Sequence, residues 1–221
     1  MRITESVRNL LAKQNYMLVR YGYSDERSRR MRQVSRVAQE RTLLLNHAEA
    51  CQIMSAVRAV AHVPGDIAEL GVFAGASARL IADHMQDGKT LHLFDTFEGL
   101  PAVGEVDSKR FTAGEFSSTF ESARDYLKNA PAVRFHNGLF PGTAAAVSDH
   151  RFSFVHLDVD IYSSTLAGLE FFYPRMSRGG ILITHDYMSA DGVTAAFREF
   201  FTGKPEPVIE LTGYQALVVK L

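Results

Sequence analysis

Cysteine is almost absent. Cys51 alone among 221 residues excludes an intramolecular disulfide and any zinc cluster built on thiolates, and it is expected as a small hydrophobe inside a helix. Long apolar runs are also missing. No stretch approaches the roughly 18 apolar residues that a membrane span needs, and MRITESVRNLLAKQNY lacks the charged, apolar and small-residue regions of a signal peptide, so a cytoplasmic protein with no membrane partner is expected. No period of about 20 to 50 residues recurs and no low-complexity segment appears, which excludes solenoid and array architectures.

Excess charge of one sign is missing from the whole, but not from its parts. The net charge is −1, yet residues 1–42 hold ten Lys/Arg against four Asp/Glu, leaving fourteen against twenty-one, a net of −7, in the remaining 179. The basic stretch RYGYSDERSRRMRQVSRVAQER interleaves its arginines with Val34, Val37 and Ala38 at helical spacing. It lacks the glycine and aromatic pattern of an RNA-binding module, so it reads as a solvated helical face or a docking arm, with no nucleic-acid partner. Its apolar stripe needs cover and the rest of the chain is acidic, so the arm is expected to join two copies in a homo-oligomer, a dimer.

What is present is an alternation. NHAEACQIMSAVRAVAHV carries apolar residues at three- and four-residue spacing up to Pro64-Gly65, a helix stop. The runs DIAELGV, TLHLFD, AVRFHN, FSFVHLD and GILITHD then follow, each leading into a turn or a helical pattern. This is the signature of an α/β, Rossmann-like sheet, mostly parallel, with helices on both faces. In EPVIELTGYQALVVKL two strand-like runs flank Thr212-Gly213, a hairpin whose C-terminal strand runs antiparallel to its neighbour. Residues 1–62 are expected as an N-terminal helical extension, serving as arm, lid or dimerisation element, and 63–221 as the α/β domain.

The first strand-to-helix junction is AELGVFAGASARLI. Gly71 and Gly75 suit a tight turn with close ligand approach, Glu69 precedes the turn, and Asp95 ends the next strand 20 residues after Gly75, the spacing of a ribose-binding acid. Gly71 is followed by Val72, Phe73 and Ala74, so the dinucleotide fingerprint is missing. A cofactor with a ribose and no pyrophosphate, S-adenosylmethionine, fits better than a nicotinamide dinucleotide. A nucleotide-dependent oxidoreductase on a related sheet remains the competing function, and a catalytically inactive cofactor-binding homologue a third. Among the histidines, His92 and His156 sit inside strand runs and read as core residues, while His136 stands before Asn137-Gly138 at a strand end.

LDVDIYSST sets Asp158 and Asp160 one residue apart after an apolar run. If the strand continued, both carboxylates would share a face, where like charges need a cation or a proton-transfer task to justify them. His185-Asp186 closes the next core strand in the same manner. Segment 95–119, long and polar, reads as a lid, with Phe97, Phe111 and Phe116 as candidate walls of an acceptor pocket. Tyr162 and Tyr187 are further candidates.

The blocks AELGVFAGASA, FDTFEGLP, HNGLFPGT, FVHLDVDIYSSTLAGLEFFYPRMSRGGILITHDY and GVTAAFREF, in this order, resemble the macrocin O-methyltransferase family, which modifies sugars and phenols of bacterial natural products. The resemblance implies a class I methyltransferase fold, S-adenosylmethionine, a divalent cation, usually magnesium, and a small hydroxylated acceptor. It implies cofactor contacts at Glu69, Gly71, Gly75, Ser77, Asp95, Thr96, Asn137, Gly138 and Asp158, cation ligands Asp158 and Asp186, and Asp160 as the general base. Where the family carries an acidic pair, this chain has His185 before Asp186. Three roles are open for His185: a ligand that shifts the preference from magnesium toward manganese or a softer metal, the catalytic base of a metal-free site, or a support behind the ligands.

Overall fold

The computed structural model describes residues 24–221 together with Val7 and Leu10. Strands β1 (Asp66–Leu70), β2 (Leu91–Asp95), β3 (Val133–Asn137), β4 (Phe152–Leu157), β5 (Met176–Thr184), β6 (Ile209–Glu210) and β7 (Ala216–Val219) form one sheet in the order β3-β2-β1-β4-β5-β7-β6. β1 to β5 pair in parallel. β7 runs antiparallel to both β5 and β6, so the hairpin at Thr212-Gly213 closes the sheet as the sequence predicts.

Side-chain alternation divides the interior into two cores. Ile67, Leu93, Phe154 and Ile183 face Val34 of α1 (Asp25–Glu40), Ile53 of α2 (His47–Ala59), Leu80 of α3 (Ala76–Ala82) and Leu127 of α4 (Phe120–Leu127). Ala68, Phe94, Val155 and Leu182 point the other way, against Phe172 of α5 (Tyr162–Phe172) and Phe197 of α6 (Asp191–Phe201). All six residues of β4 are buried, which is why FSFVHL reads as an unbroken apolar run and not an alternating one.

Three local differences from the sequence expectation have physical causes. α2 stops at Ala59, capped by Val60, and turns fill the distance to Pro64. Cys51 is half-buried in α2, with its thiol 3.7 Å from the Met31 sulfur. β4 stops at Leu157, so Asp158 and Asp160 do not share a face through strand alternation; Asp160 takes a left-handed backbone, φ 60°.

α1 begins at the Ser24 cap, whose side chain accepts the Arg27 N–H, and buries Val34 and Val37 in the chain's own core. Arg30 bonds Ser55 and Glu26, and Gln33 bonds Asp83. The valine stripe offered as a reason for subunit docking is thus covered within the chain, and the part of the basic arm in residues 1–23 lies outside the described residues. No helix among the described residues is long and apolar enough to cross a membrane.

Candidate active site

In an open parallel sheet, ligands bind beyond the C-terminal strand ends where the strand order reverses. Here that point lies between β1 and β4. A cavity of about 590 Å³ opens there, lined by Gly71, Asp95, Asp158, Asp160, His185 and Asp186 among others. Gly71 has φ 91°, and a Cβ on it would collide with the Asp158 carbonyl, so only glycine lets the β1 and β4 ends touch.

The Asp95 carboxylate braces the glycine loop. Oδ2 accepts the N–H groups of Val72 at 2.6 Å and Phe73 at 2.7 Å, and Oδ1 accepts that of Phe97 at 2.7 Å. A carboxylate has about four acceptor positions, so capacity for a ligand hydroxyl remains. Ser77, Thr96 and Gly138 also line the cavity, with Thr96 Oγ1 spanning the turn to the Gly99 carbonyl at 3.1 Å. Glu69, Gly75 and Asn137 do not line it. Glu69 is fully buried and bonded to His156 Nδ1 at 2.9 Å, and burial pushes its carboxyl up. Gly75 caps α3 in a left-handed conformation beside Leu127, and Asn137 is exposed at the end of β3. His136 turns away to stack on Phe94.

Three carboxylates and an imidazole converge opposite. His185 Nδ1 lies 2.8 Å from Asp186 Oδ2 and 3.4 Å from Asp158 Oδ1, and its Nε2 lies 3.5 Å from Glu49 Oε2, an ion-pair distance. Burial opposes a charge on this ring, but the Asp158 charge, followed by the bonds to Asp158, Asp186 and Glu49, raises its pKa and holds the proton. Burial pushes the Asp160 carboxyl up as well, reinforced by the charges of Asp158 and Asp186. Asp186 goes the other way: burial is outweighed by His185, Ser189 and Arg110. Both Asp160 and Asp186 sit at positive φ, 60° and 57°, an unfavourable backbone for non-glycine residues that clusters at functional sites.

The donor set suits a cation. One atom each from Asp158, His185 and Asp186 lies within 4.8 Å of the others. A cation here would take the place of the His185 proton, with Nδ1 turned to this group and the far nitrogen facing the Glu49 carboxylate, the arrangement that orients metal-ligating imidazoles.

Segment 95–119, expected as a lid, is pinned at several points. Asp107 is buried and accepts the Tyr162 N–H at 2.6 Å with Oδ1 and the Gly104 N–H at 2.8 Å with Oδ2, thereby capping α5, whose own cap residue Ile161 has no side-chain acceptor to offer. Ser108 bonds Asp191 at the start of α6, and Arg110 reaches Asp186 Oδ1 at 2.9 Å. Phe111 and Phe116 line the cavity. Phe97 does not, because it is buried against Phe120 and Phe135 in the core. Tyr162 and Tyr187 also stay out, bonded to Glu199 and packed on Phe197.

Glu49, Asp107, Arg110 and Tyr214 escape the sequence reading. Asn46 and Glu49 carry the spacing of a helix capping box, and they form one, but the same carboxylate also accepts the Tyr214 N–H and faces His185. Nothing local distinguishes that double use.

The sheet order with its antiparallel end and the cavity at the β1/β4 switch point define a class I methyltransferase fold. Residues 10–211 match the Macrocin-O-methyltransferase (TylF) family, and the chain belongs to it. A relative from Streptomyces olivaceus, 8-demethyl-8-(2,3-dimethoxy-alpha-L-rhamnosyl)-tetracenomycin-C 4'-O-methyltransferase, is 30% identical over 169 residues, 68% of this chain and 64% of the relative. Demethyldecarbamoylnovobiocin O-methyltransferase from Streptomyces niveus is 29% identical over 154 residues, 63% of this chain and 59% of that one. The chain thus spans just under two thirds of the length of these curated relatives. Among solved structures, the O-methyltransferase NovP superposes with a TM-score of 0.70 at 24% identity, covering 80% of this chain and 81% of its own. The O-methyltransferase from Bacillus cereus in complex with SAH gives 0.59 at 16% identity, covering 97% of each chain.

Proposed function

We propose that the protein is an S-adenosylmethionine-dependent O-methyltransferase that methylates a hydroxyl of a small molecule, a sugar or phenol of a natural product, with a divalent cation held by Asp158, His185 and Asp186. The observation that carries this reading is the shared cavity: the braced glycine loop with Asp95 and the Asp158/Asp160/His185/Asp186 cluster line the same cavity. Family membership and the relatives' names support the chemistry, and natural-product hydroxyls are what those relatives act on by name.

S-adenosylmethionine supplies the methyl group. The chain's task is to hold an acceptor oxygen in line with it and to take the hydroxyl proton. Gly71, Ser77, Thr96, Gly138 and the free acceptor capacity of Asp95 are the cofactor contacts. A cation lowers the acceptor hydroxyl's pKa when bound. Asp160 is the base, since its pKa is raised toward the range in which a carboxylate accepts a hydroxyl proton efficiently. Glu49 orients His185 from behind. Phe111 and Phe116 form apolar walls, and Arg110 partly neutralises Asp186. An imidazole in the donor set turns the metal preference from magnesium toward manganese and softer ions.

A second reading rests on the protonated His185, whose imidazolium lies between Asp158 and Asp186 and supplies the local positive charge itself. In that form the ring has no free nitrogen to act as a base. Calorimetry with S-adenosylhomocysteine tests the cofactor assignment, and no heat at millimolar ligand overturns the function. Methyl transfer to a panel of hydroxylated glycosides and catechols, with EDTA and with manganese, separates the two readings. Full activity after verified metal removal overturns the cation.

A further inference from the structure

The opposite end of the sheet carries a second convergence of ligating side chains that the methyl-transfer reading does not use. Asp66 opens β1, His92 lies near the start of β2, and His150 lies in the turn leading into β4. Asp66 Oδ1 accepts the Thr90 N–H at 2.9 Å, which fixes the carboxylate and leaves Oδ2 for the histidines. His150 Nδ1 lies 2.9 Å and His92 Nε2 3.3 Å from that oxygen, and one atom from each residue lies within 4.8 Å of the others.

We propose that Asp66, His92 and His150 form a binding site for a divalent d-block cation of the zinc class, which ties β1, β2 and the turn before β4 together. Zinc binds imidazole nitrogen and carboxylate oxygen at about 2.0 to 2.2 Å in a tetrahedron, so its ligand atoms stand about 3.3 Å apart. The Asp66–His92 separation of 3.3 Å already has that value, and the 2.9 Å to His150 needs to widen by only a few tenths of an ångström. His150 is able to give this way, since its side chain is 41% exposed on a surface turn. The same exposure leaves the site open to solvent on the His150 side, where a water can serve as fourth ligand.

The surroundings of His92 are those of a metal-bound imidazole. The ring is buried, and its far nitrogen Nδ1 lies 3.0 Å from His136 Nε2. His136 is itself held by stacking on Phe94, with ring centroids 4.3 Å apart and planes at 12°. A proton on this contact can sit on either ring. When His92 Nδ1 donates it, Nε2 becomes a bare lone pair facing the Asp66 carboxylate, an arrangement that a cation between them satisfies, and ligating histidines are oriented by such a partner behind the ring. Two imidazoles and one carboxylate favour zinc, cobalt or nickel over magnesium.

The test isolates this site by working in full-length Asp158→Asn/Asp186→Asn protein, where the cluster at the catalytic end is disabled. Equilibrium dialysis against zinc with metal analysis is expected to give about one bound equivalent there, and less than about a tenth of one when His150→Ala is added. Zinc at about 100 times its dissociation constant is expected to raise the melting temperature by about 5 to 10 °C, and not to do so with His150→Ala. Zero equivalents in the first protein, or equal binding in both, overturns the site. Should the triple variant fold poorly, His150→Ala alone keeps the question decidable. It should lose one equivalent relative to wild type while S-adenosylhomocysteine affinity stays unchanged, and an unchanged zinc count refutes the proposal.

Discussion

Glu49 Oε2 stands 3.5 Å from His185 Nε2, a helix residue and a strand-end residue meeting in the interior with both side chains buried. Burial works against the Glu49 charge, but His185 and the backbone N–H groups of Tyr214 and Asn46 outweigh it and lower its pKa. The carboxylate therefore stays ionised and fixes the ring so that Nδ1 faces Asp158 and Asp186. Glu49→Gln keeps the size and removes the charge. Manganese affinity measured by calorimetry is expected to fall about 10- to 100-fold, as for other carboxylates behind ligating histidines, with S-adenosylhomocysteine affinity unchanged. Equal manganese affinity in wild type and variant removes Glu49 from the site.

Asp95 braces the glycine loop and, on the proposed function, also holds a ribose hydroxyl, so its removal should have two signatures. Asp95→Ala deletes three charge-assisted bonds to the Val72, Phe73 and Phe97 backbone and the capacity for a ribose hydroxyl. Cofactor affinity is expected to drop at least about tenfold, with bonds of this kind contributing about 1.5 to 3 kcal/mol each. The melting temperature is expected to fall too. Asp95→Asn retains an acceptor oxygen and should recover part of the stability but less of the affinity. A variant that melts early yet binds S-adenosylhomocysteine normally shows a purely structural acid.

The sheet was legible in the sequence because each strand run has the right length and is punctuated by Gly, Pro or Asp, and because IELTGYQALVV can only fold back. The pairing of Asp158 with His185 and Asp186 was legible because acids at the ends of core strands converge beyond the sheet edge. Their route there was not. Strand alternation would run on through Asp160, but β4 stops at Leu157 and the left-handed Asp160 redirects the chain. Phe97 was misplaced for a similar reason: it too has a positive φ, 59°, which turns its ring into the core and away from the lid. Glu49 and Asp107 act across long sequence distances through ordinary capping interactions, and periodicity carries no trace of them.

Asp107 holds the segment expected as a lid. Its Oδ1 caps α5 through the Tyr162 N–H and its Oδ2 holds Gly104, while Gly192 at the start of α6 leaves no room for a Cβ beside it. Asp107→Ala is expected to cost about 0.5 to 2 kcal/mol as a lost helix cap, a drop of about 2 to 4 °C per kcal/mol for a chain of this size. Freed from α5, the segment carrying Arg110 and Phe111 should raise KM for the acceptor while S-adenosylhomocysteine affinity stays constant. Asp107→Asn keeps an oxygen for Tyr162 and should restore most of both. A KM unchanged in Asp107→Ala shows that the lid is held without this carboxylate.

On the proposed function Asp158 is a cation ligand and Asp160, two positions further on, is the base, and this separates their substitutions. Asp158→Asn removes a ligand: manganese affinity should fall, and excess manganese should recover part of the activity. Asp160→Asn removes the base: manganese and S-adenosylhomocysteine binding should persist while turnover falls about 100- to 10,000-fold, with no recovery at any metal concentration. The pH profile gives an independent check with a definite sign. The ionised carboxylate is the active form, and burial with the Asp158 and Asp186 charges raises its pKa, so kcat/KM should fall with decreasing pH well above the ordinary Asp value of about 3.9. A bound cation attracts the carboxylate and opposes that rise, so the acid limb should move to lower pH as manganese approaches saturation. An acid limb that persists unchanged in Asp160→Asn would assign the titration, and the base, to another group.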